Sequence, residues 1–134
     1  MKLSELINEA TDIAIAVVPE TNPDGTFTWF TYIINDGEHI LTNVIIQSSG
    51  EGEIDAWPVK SSTLRHFMDE LLPLKNAKIE MLIEDVFILK NKYWVSFYKG
   101  TTIFDKQFYF SPNSIRLENC IEIPSLGIKG ILAH

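Results

Sequence analysis

The sequence predicts a mainly β fold, an antiparallel immunoglobulin-like β-sandwich with one inserted helix at about residues 62–72. Segments rich in β-branched and aromatic residues recur about every ten residues, and Gly, Pro, Asn and Asp separate them. Tight turns between successive segments make neighbouring strands antiparallel. Strands and helices do not alternate regularly, which argues against a parallel sheet. We predict a single domain over residues 1–134; the alternative is an α+β fold in which that helix packs on an antiparallel sheet.

The first third of the chain predicts three strands. Residues 1–11 form either a short helix capped by Ser4 or a frayed lead-in, and residues 12–18 form a strand that Pro19 ends. A turn at residues 22–25, with Pro at its first central position, leads to a strand at residues 26–34. Asp36-Gly37 then favours a type I′ hairpin whose return strand is 39–47. Residues 48–53 read as a polar loop.

The predicted helix rests on the spacing of its apolar residues. The residues Leu64, Phe67, Met68, Leu71 and Leu72 recur at intervals of three and four, which places them on one face of a helix. Ser61 or Ser62 can cap its amino end, and Pro73 can end it.

The last third of the chain predicts further strands. One lies around residues 79–82, and a hairpin joins 92–98 to 103–110 through a type II′ turn at Gly100-Thr101. That register pairs Phe97 with Phe104 and Tyr93 with Phe108 on the core face. Residues 115–123 alternate between apolar and polar, as a half-exposed strand does, and residues 128–132 add a short last strand.

Charge and cysteine content favour a cytoplasmic protein. The net charge is −7, and residues 1–57 hold ten acids against one base, Lys2. Such a balance argues against nucleic acid and against anionic membranes as partners. Glu5 and Glu9 are untypical of a signal peptide, and the first apolar run, at residues 13–18, is shorter than the core of one. The single Cys fits a reducing compartment.

The sequence carries no motif for catalysis, for a cofactor or for a metal. His39, His66 and His134 have no spacing that predicts a zinc site. Cys120 lacks a neighbouring base that would activate its thiol. The acids Glu51, Glu53 and Asp55 lack the rest of a calcium loop and read as a solvated segment. We therefore expect a protein that is not an enzyme, with no cofactor and no bound metal.

Aromatic residues are the most marked feature of the chain. Eight of its fifteen aromatic residues lie between positions 93 and 110. Trp94, Tyr98 and Tyr109 fall opposite the predicted core face, so either the helix covers them or they form an exposed patch. Exposed apolar patches mark partner surfaces, and we predict an interaction surface at these three residues and at Trp57.

Four segments resemble a family of short, uncharacterised bacterial proteins found mainly in Bacteroidetes-type genomes. The segments are 43–51, 62–67, 93–98 and 111–115, and the likeness runs from about Trp29 to the end. Some members are labelled phenylalanyl-tRNA synthetase alpha subunit. A synthetase of that kind needs a large catalytic domain with an ATP-clamping arginine motif, and this chain has only two arginines. The family therefore implies an unknown function, and no functional residues are carried over from it.

The hairpin at residues 32–44 also resembles a pattern of bacterial immunoglobulin-like domains, in which a strand ends in Asn and the next opens with Asn-Val. This resemblance agrees with the predicted sandwich.

The predicted function is that of a non-catalytic protein-interaction or accessory module. Its partner is either an unknown protein or a second copy of the chain, since an exposed sheet edge can pair two copies. The alternative is a nucleic-acid or tRNA-linked accessory protein that uses the aromatic residues and lysines of the hairpin 90–110, among them Lys90, Lys92 and Lys99.

Overall fold

The computed structural model describes residues 8–134, which fold into two antiparallel-rich sheets. In chain order the strands are β1 (Asn8–Glu9), β2 (Ile13–Thr21), β3 (Phe27–Asn35), β4 (Leu41–Ile54), β5 (Trp57–Lys60), β6 (Leu64–Leu71), β7 (Asn76–Leu82), β8 (Lys90–Lys99), β9 (Thr102–Phe110), β10 (Ile121–Ile123) and β11 (Ile128–Leu132). The helical residues described form two single 3₁₀ turns, Glu84–Val86 and Leu117–Asn119.

The long strand β4 organises the six-stranded sheet. The order is β1-β9-β8-β4, and β5 and β6 lie one after the other along the remaining edge of β4. The five-stranded sheet has the order β10-β11-β2-β3-β7. All of these pairings are antiparallel except that of β1 with β9.

One main core lies between the two sheets. Ile15, Val17 and Ile33 of the five-stranded sheet pack in the same cluster as Val95 and Phe97 of the six-stranded sheet, and all five are fully buried. Burying a side chain of this size stabilises a fold by about 1.5–3 kcal/mol. The packing of these side chains therefore holds the two sheets against each other.

Two polar contacts also tie the sheets together. The Lys99 Nζ lies 2.9 Å from both carboxylate oxygens of Asp12. At the end of β3, the buried Asn35 amide nitrogen lies 2.9, 3.2 and 3.1 Å from the backbone oxygens of His39, Leu71 and Leu72. Asn35 thus joins the end of β3 in one sheet to backbone groups at the end of β6 in the other.

The predicted β8–β9 hairpin is confirmed in its full register. Phe97 pairs with Phe104, Tyr93 with Phe108, and Tyr98 with Ile103. Gly100 has a positive φ of 59° and Thr101 does not have a positive φ, as a type II′ turn requires. The strands predicted at 12–18, 26–34, 79–82 and 128–132 are also present as β2, β3, β7 and β11; β2 continues through Pro19 to Thr21.

The predicted helix at residues 62–72 is wrong, because this segment is the strand β6. Its apolar spacing fits a helix, but the residues alternate as a strand does: Phe67 is 59% exposed, whereas Met68 packs against the core. The open edge of β4 offers this segment a full ladder of backbone hydrogen bonds. An isolated helix of this length is marginal, so the tertiary pairing decides. The α+β alternative fails with the helix.

The predicted Asp36-Gly37 hairpin is also wrong, because β3 and β4 belong to different sheets. Gly37 does not adopt the positive φ of a type I′ turn. Its N–H donates to Asn35 Oδ1 at 3.0 Å, and the Asp36 N–H donates to the Asp12 carbonyl. These bonds turn the chain from one layer to the other.

Three smaller predictions also need correction. The predicted loop 48–53 is the second half of β4, which turns into β5 through Asp55 and Ala56, both at positive φ. The predicted strand 115–123 is broken by the Leu117–Asn119 turn, so that Leu117 is half exposed. Of the lead-in at 1–11, residues 1–7 lie outside the described residues, and Asn8–Glu9 form a strand rather than a helix.

Candidate functional site

The outer face of the six-stranded sheet carries a patch of apolar side chains. Alternation along β8 directs Trp94 and Tyr98 away from the core, and β9 adds Ile103 opposite Tyr98. On β4, Ile45 pairs with Ser96, between these two aromatic residues, and on β6 Phe67 pairs with Ile45. We call these five residues (Ile45, Phe67, Trp94, Tyr98 and Ile103) the outer apolar patch.

Exposure within this patch increases toward the edge of the sheet. Phe67 is 59% exposed and Ile45 is 39% exposed, while Trp94, Tyr98 and Ile103 are half-buried. The indole Nε1 of Trp94 donates to Asp105 Oδ2 at 3.2 Å, which fixes the ring against the sheet. A rigid aromatic centre beside an exposed apolar edge is an arrangement that protein partners use.

Polar side chains border the outer apolar patch. Arg65 Nε donates to Gln47 Oε1 at 3.1 Å, and Gln47 pairs with Trp94 across the strands. Asp105 and Gln107 border the patch on the β9 side. An apolar centre with a polar rim is the usual anatomy of a protein interface.

The four predicted surface residues do not form one cluster. Tyr109 is on the same face as Trp94, but the Lys90 Nζ lies 4.3 Å from its ring centroid and the His134 ring lies at 6.2 Å. Trp57 is 75% exposed at the tip of the β4–β5 hairpin and pairs with Ile54, whose side of β4 faces the core. The structure therefore places Trp94, Tyr98 and Tyr109 on one face of the six-stranded sheet, with Lys90 and His134 against Tyr109, and places Trp57 on another surface.

The lysines of the hairpin 90–110 are also divided between the two faces. Lys99 binds Asp12 on the core side, and the Lys106 Nζ lies 5.2 Å from the centroid of the Phe108 ring on that side. Lys90 and Lys92 remain on the face that carries Trp94. The aromatic residues therefore have fewer lysines beside them than the sequence predicts.

A cleft opens between the sheets on the side where β6 and β7 are edge strands; we call it the edge cleft. Its volume is about 340 Å³, which is within the range of small ligand pockets. One wall holds Ser48, Ser49, Ser61, Ser62 and Leu64 of the six-stranded sheet, and the other holds residues 80–83 of β7 and its continuation. Val86, Asn91 and Tyr93 complete the lining.

Glu80 is the polar centre of the edge cleft. Its side chain is 7% exposed, and its two oxygens have different partners. The Tyr93 hydroxyl donates to Oε1 at 2.7 Å, and His66 Nε2 lies 3.1 Å from Oε2. Burial, and secondarily the charge of Glu80, hold the pKa of Tyr93 well above its usual value, so the phenol stays a neutral donor.

No pattern in the sequence predicts this cluster. His66 lies off the apolar face of the predicted helix, whereas in the structure it is half-buried on β6 and contacts Glu80 on β7. Glu80 was one acid of a predicted strand. Their contact depends on β6 being a strand and on how the sheets stack, which local pattern does not encode.

The other residues considered for chemistry are scattered. His39 and His134 are exposed, as are Glu51, Glu53 and Asp55 of the β4–β5 hairpin. Cys120 is half-buried; burial raises the pKa of its thiol, although Lys129 opposes this effect. Within residues 8–134, no three His, Cys, Asp or Glu side chains approach closely enough to hold a metal ion.

Comparison of the chain with protein-family models, with curated proteins and with solved structures finds no match. Within the described part of the chain, no helix has the length and apolar character needed to cross a membrane.

Proposed function

We propose that this protein is a cytoplasmic, non-catalytic interaction module that binds a basic protein partner through the outer apolar patch. The observation that carries the proposal is the exposure of Ile45, which lies on the strand next to Trp94 and Tyr98, and of Phe67, which pairs with Ile45 on the following strand. A helix at 62–72 would have been the natural cover for this face. Since that segment is β6, it adds Phe67 to the patch instead of covering it.

The composition of the surface supports a protein as the partner. Trp, Tyr and Arg are the residues that most often dominate the binding energy of interfaces, and all three occur in or beside the patch. Arg65, Gln47 and Asp105 provide polar groups at its border. An occupant that covers the apolar centre and pairs with this border gains both affinity and orientation.

Charge favours a basic partner over a second copy of the chain. Each copy carries a net charge of −7, so two copies repel one another on approach. A basic protein is attracted by the same field. We therefore expect the isolated chain to be a monomer, and a homodimer would contradict the proposal.

The first prediction concerns the patch itself. Trp94→Ala combined with Tyr98→Ala, and separately Phe67→Ser, should abolish capture of one partner from lysate of the native host, since each removes apolar contact at the centre. The captured protein should be basic, should bind the purified chain directly in calorimetry, and should fail to bind both variants. The thermal midpoint should stay within a few degrees, because these side chains face outward.

The matched control is Ile121→Ser, an exposed apolar residue of β10 in the five-stranded sheet that lies outside both the patch and the edge cleft. It should keep the partner. Loss of binding in this control as well, unchanged binding in Phe67→Ser, or a patch-dependent dimer in sedimentation velocity would each contradict the proposal.

The nucleic-acid function stays an alternative prediction with reduced support, since Lys99 and Lys106 lie on the core side. Binding to single-stranded RNA at low salt that weakens steeply as salt rises would favour it. The immunoglobulin-like class of the fold and the resemblance to the Bacteroidetes-type family likewise stay predictions.

A further inference from the structure

We propose that the edge cleft is a second binding site, which takes an extended polypeptide segment along β7 and seats one arginine side chain of that segment against Glu80. The site is independent of the outer apolar patch. It rests on the free edge of β7, the free acceptor positions of Glu80 and the charge of the cleft.

The free edge of β7 determines the form of the ligand. Among the strands of residues 8–134, β7 pairs with β3 alone, so the backbone groups along its other edge are open to an added strand. Such addition is a common mode of peptide recognition, in which backbone bonds give affinity and side-chain pockets give specificity. A strand added here extends the five-stranded sheet and covers the mouth of the edge cleft.

The position of Glu80 determines where the specificity pocket is. Glu80 pairs with the buried Thr31 of β3, so its side chain points between the sheets. In an antiparallel pair, the residue opposite Glu80 has its Cβ about 4.5–5.5 Å away on the same face. The side chain of that ligand residue therefore enters the edge cleft.

The free acceptor positions of Glu80 determine the ligand group. A carboxylate accepts about four hydrogen bonds. Glu80 has one partner on each oxygen, Tyr93 on Oε1 and His66 on Oε2. One acceptor position on each oxygen remains, and the two parallel N–H groups of a guanidinium match this arrangement.

Charge and lining support the same group. Of the described residues that line the cleft, Glu80 alone is charged, so a cation is attracted and an anion is repelled. Leu64, Met81 and Ile83 offer apolar surface near the mouth, along which the methylene chain of an arginine can lie. Lysine fits the charge but lacks the planar fork.

The test uses a capped pentapeptide with arginine at its centre and threonine and valine on either side. Binding to the full chain is followed by backbone amide shifts in NMR. The shifts should concentrate at residues 80–83 and at Tyr93. Replacing the arginine by norleucine should weaken binding about tenfold or more. Replacing it by lysine should weaken binding less, and replacing it by glutamate should leave no detectable binding.

Two variants keep the test decisive. Glu80→Gln should lose the preference for arginine over norleucine. If it does not fold, Ser62→Tyr, on the exposed part of the cleft wall, should block the peptide without touching Glu80. Phe67→Ser should bind the peptide as the native chain does, which separates this proposal from the outer apolar patch.

Several results would overturn the inference. They are equal binding of the arginine and norleucine peptides, shifts centred on β6 or β10 instead of β7, and an unchanged affinity in Ser62→Tyr. Binding of single capped arginine as tight as that of the pentapeptide would overturn the strand addition, because backbone pairing would then contribute nothing.

Discussion

Tyr93 shows how one hydroxyl group joins the two sheets. Its ring is buried in the core and lies edge-on to Phe110, with centroids 5.9 Å apart. Its hydroxyl reaches Glu80 of the opposite sheet and lies 3.4 Å from Thr31 Oγ1. A phenylalanine would fill the same space but would leave a buried carboxylate with one donor fewer.

We predict that Tyr93→Phe lowers the free energy of unfolding by about 1–3 kcal/mol at neutral pH, because Glu80 loses a buried hydrogen bond. The raised pKa of Tyr93 adds a pH dependence. The unfolded chain releases this proton near pH 10 whereas the folded chain keeps it, so the stability is present below about pH 10 and is lost as pH rises further. Urea unfolding from pH 7 to 11 should show a flatter decline in the variant.

Tyr98→Phe is the matched control, since its ring faces outward. It should change the stability at neutral pH by less than about 0.5 kcal/mol. An alkaline slope that Tyr93→Phe leaves unchanged would contradict the assignment.

At the scale of single residues, the sequence predicts the orientation of a side chain only where its strand pairs with a strand close to it in the sequence. Trp94 and Tyr98 follow from the alternation of β8 and its hairpin, and both are placed correctly. Phe67 and Ile45 join them through the β4–β6 pairing, which a helical spacing concealed. His66 and Glu80 are only fourteen residues apart, yet they meet across two sheets.

At the scale of elements, turn chemistry separates the successful predictions from the failures. Gly100 supplies the positive φ that fixes the β8–β9 register. The β6–β7 turn uses Pro73 followed by Leu74 at φ of 57°, with the Lys75 N–H to Leu72 oxygen bond of a type II turn. Glycine is the usual residue at that position. A leucine there gives no turn signal, and Pro73 was therefore read as the end of a helix.

The β4–β5 turn yields a prediction of this kind. Asp55 and Ala56 have φ of 51° and 66°, as in a type I′ turn. Ala56→Gly should raise the free energy of unfolding by about 0.5 kcal/mol, since relief of the left-handed strain exceeds the added freedom of the unfolded chain. Ala56→Val should lower it by about 1 kcal/mol. Thermal denaturation of the two variants checks the opposite signs, and a stabilising Val would contradict this turn.

At the scale of the whole molecule, the two sheets should unfold as one unit, because they share the main core and the second buried cluster, which the five-stranded sheet forms with Ala16, Ile34 and Ile123, is small. Trp29 reports on the five-stranded sheet and Trp94 on the six-stranded sheet. In variants that retain one of these two tryptophans and have Phe at the other positions, fluorescence should give coincident urea midpoints once each variant's own stability is taken into account. Two separate transitions within one variant would contradict a common core.

The layer class was predictable from composition and strand spacing, whereas the order of strands was not. Local hairpins account for β2–β3 and β8–β9. The crossing from β3 to β4 and the placement of β5 and β6 on one edge depend on contacts distant in sequence. The patch and the cleft both depend on that placement, so the sequence predicted two of the five patch residues, Trp94 and Tyr98, and did not predict the cleft.

The neighbouring open edges of β6 and β7 have a consequence for the free protein in the cell. A rim that can accept a foreign strand can also accept the same rim of a sister molecule, and that pairing is a first step toward fibrous growth. Mutual repulsion between copies that each carry a net charge of −7 opposes this pairing. Salt or a change of pH that weakens this repulsion, while β6 and β7 have no strand bound at their edges, should therefore speed the association of copies.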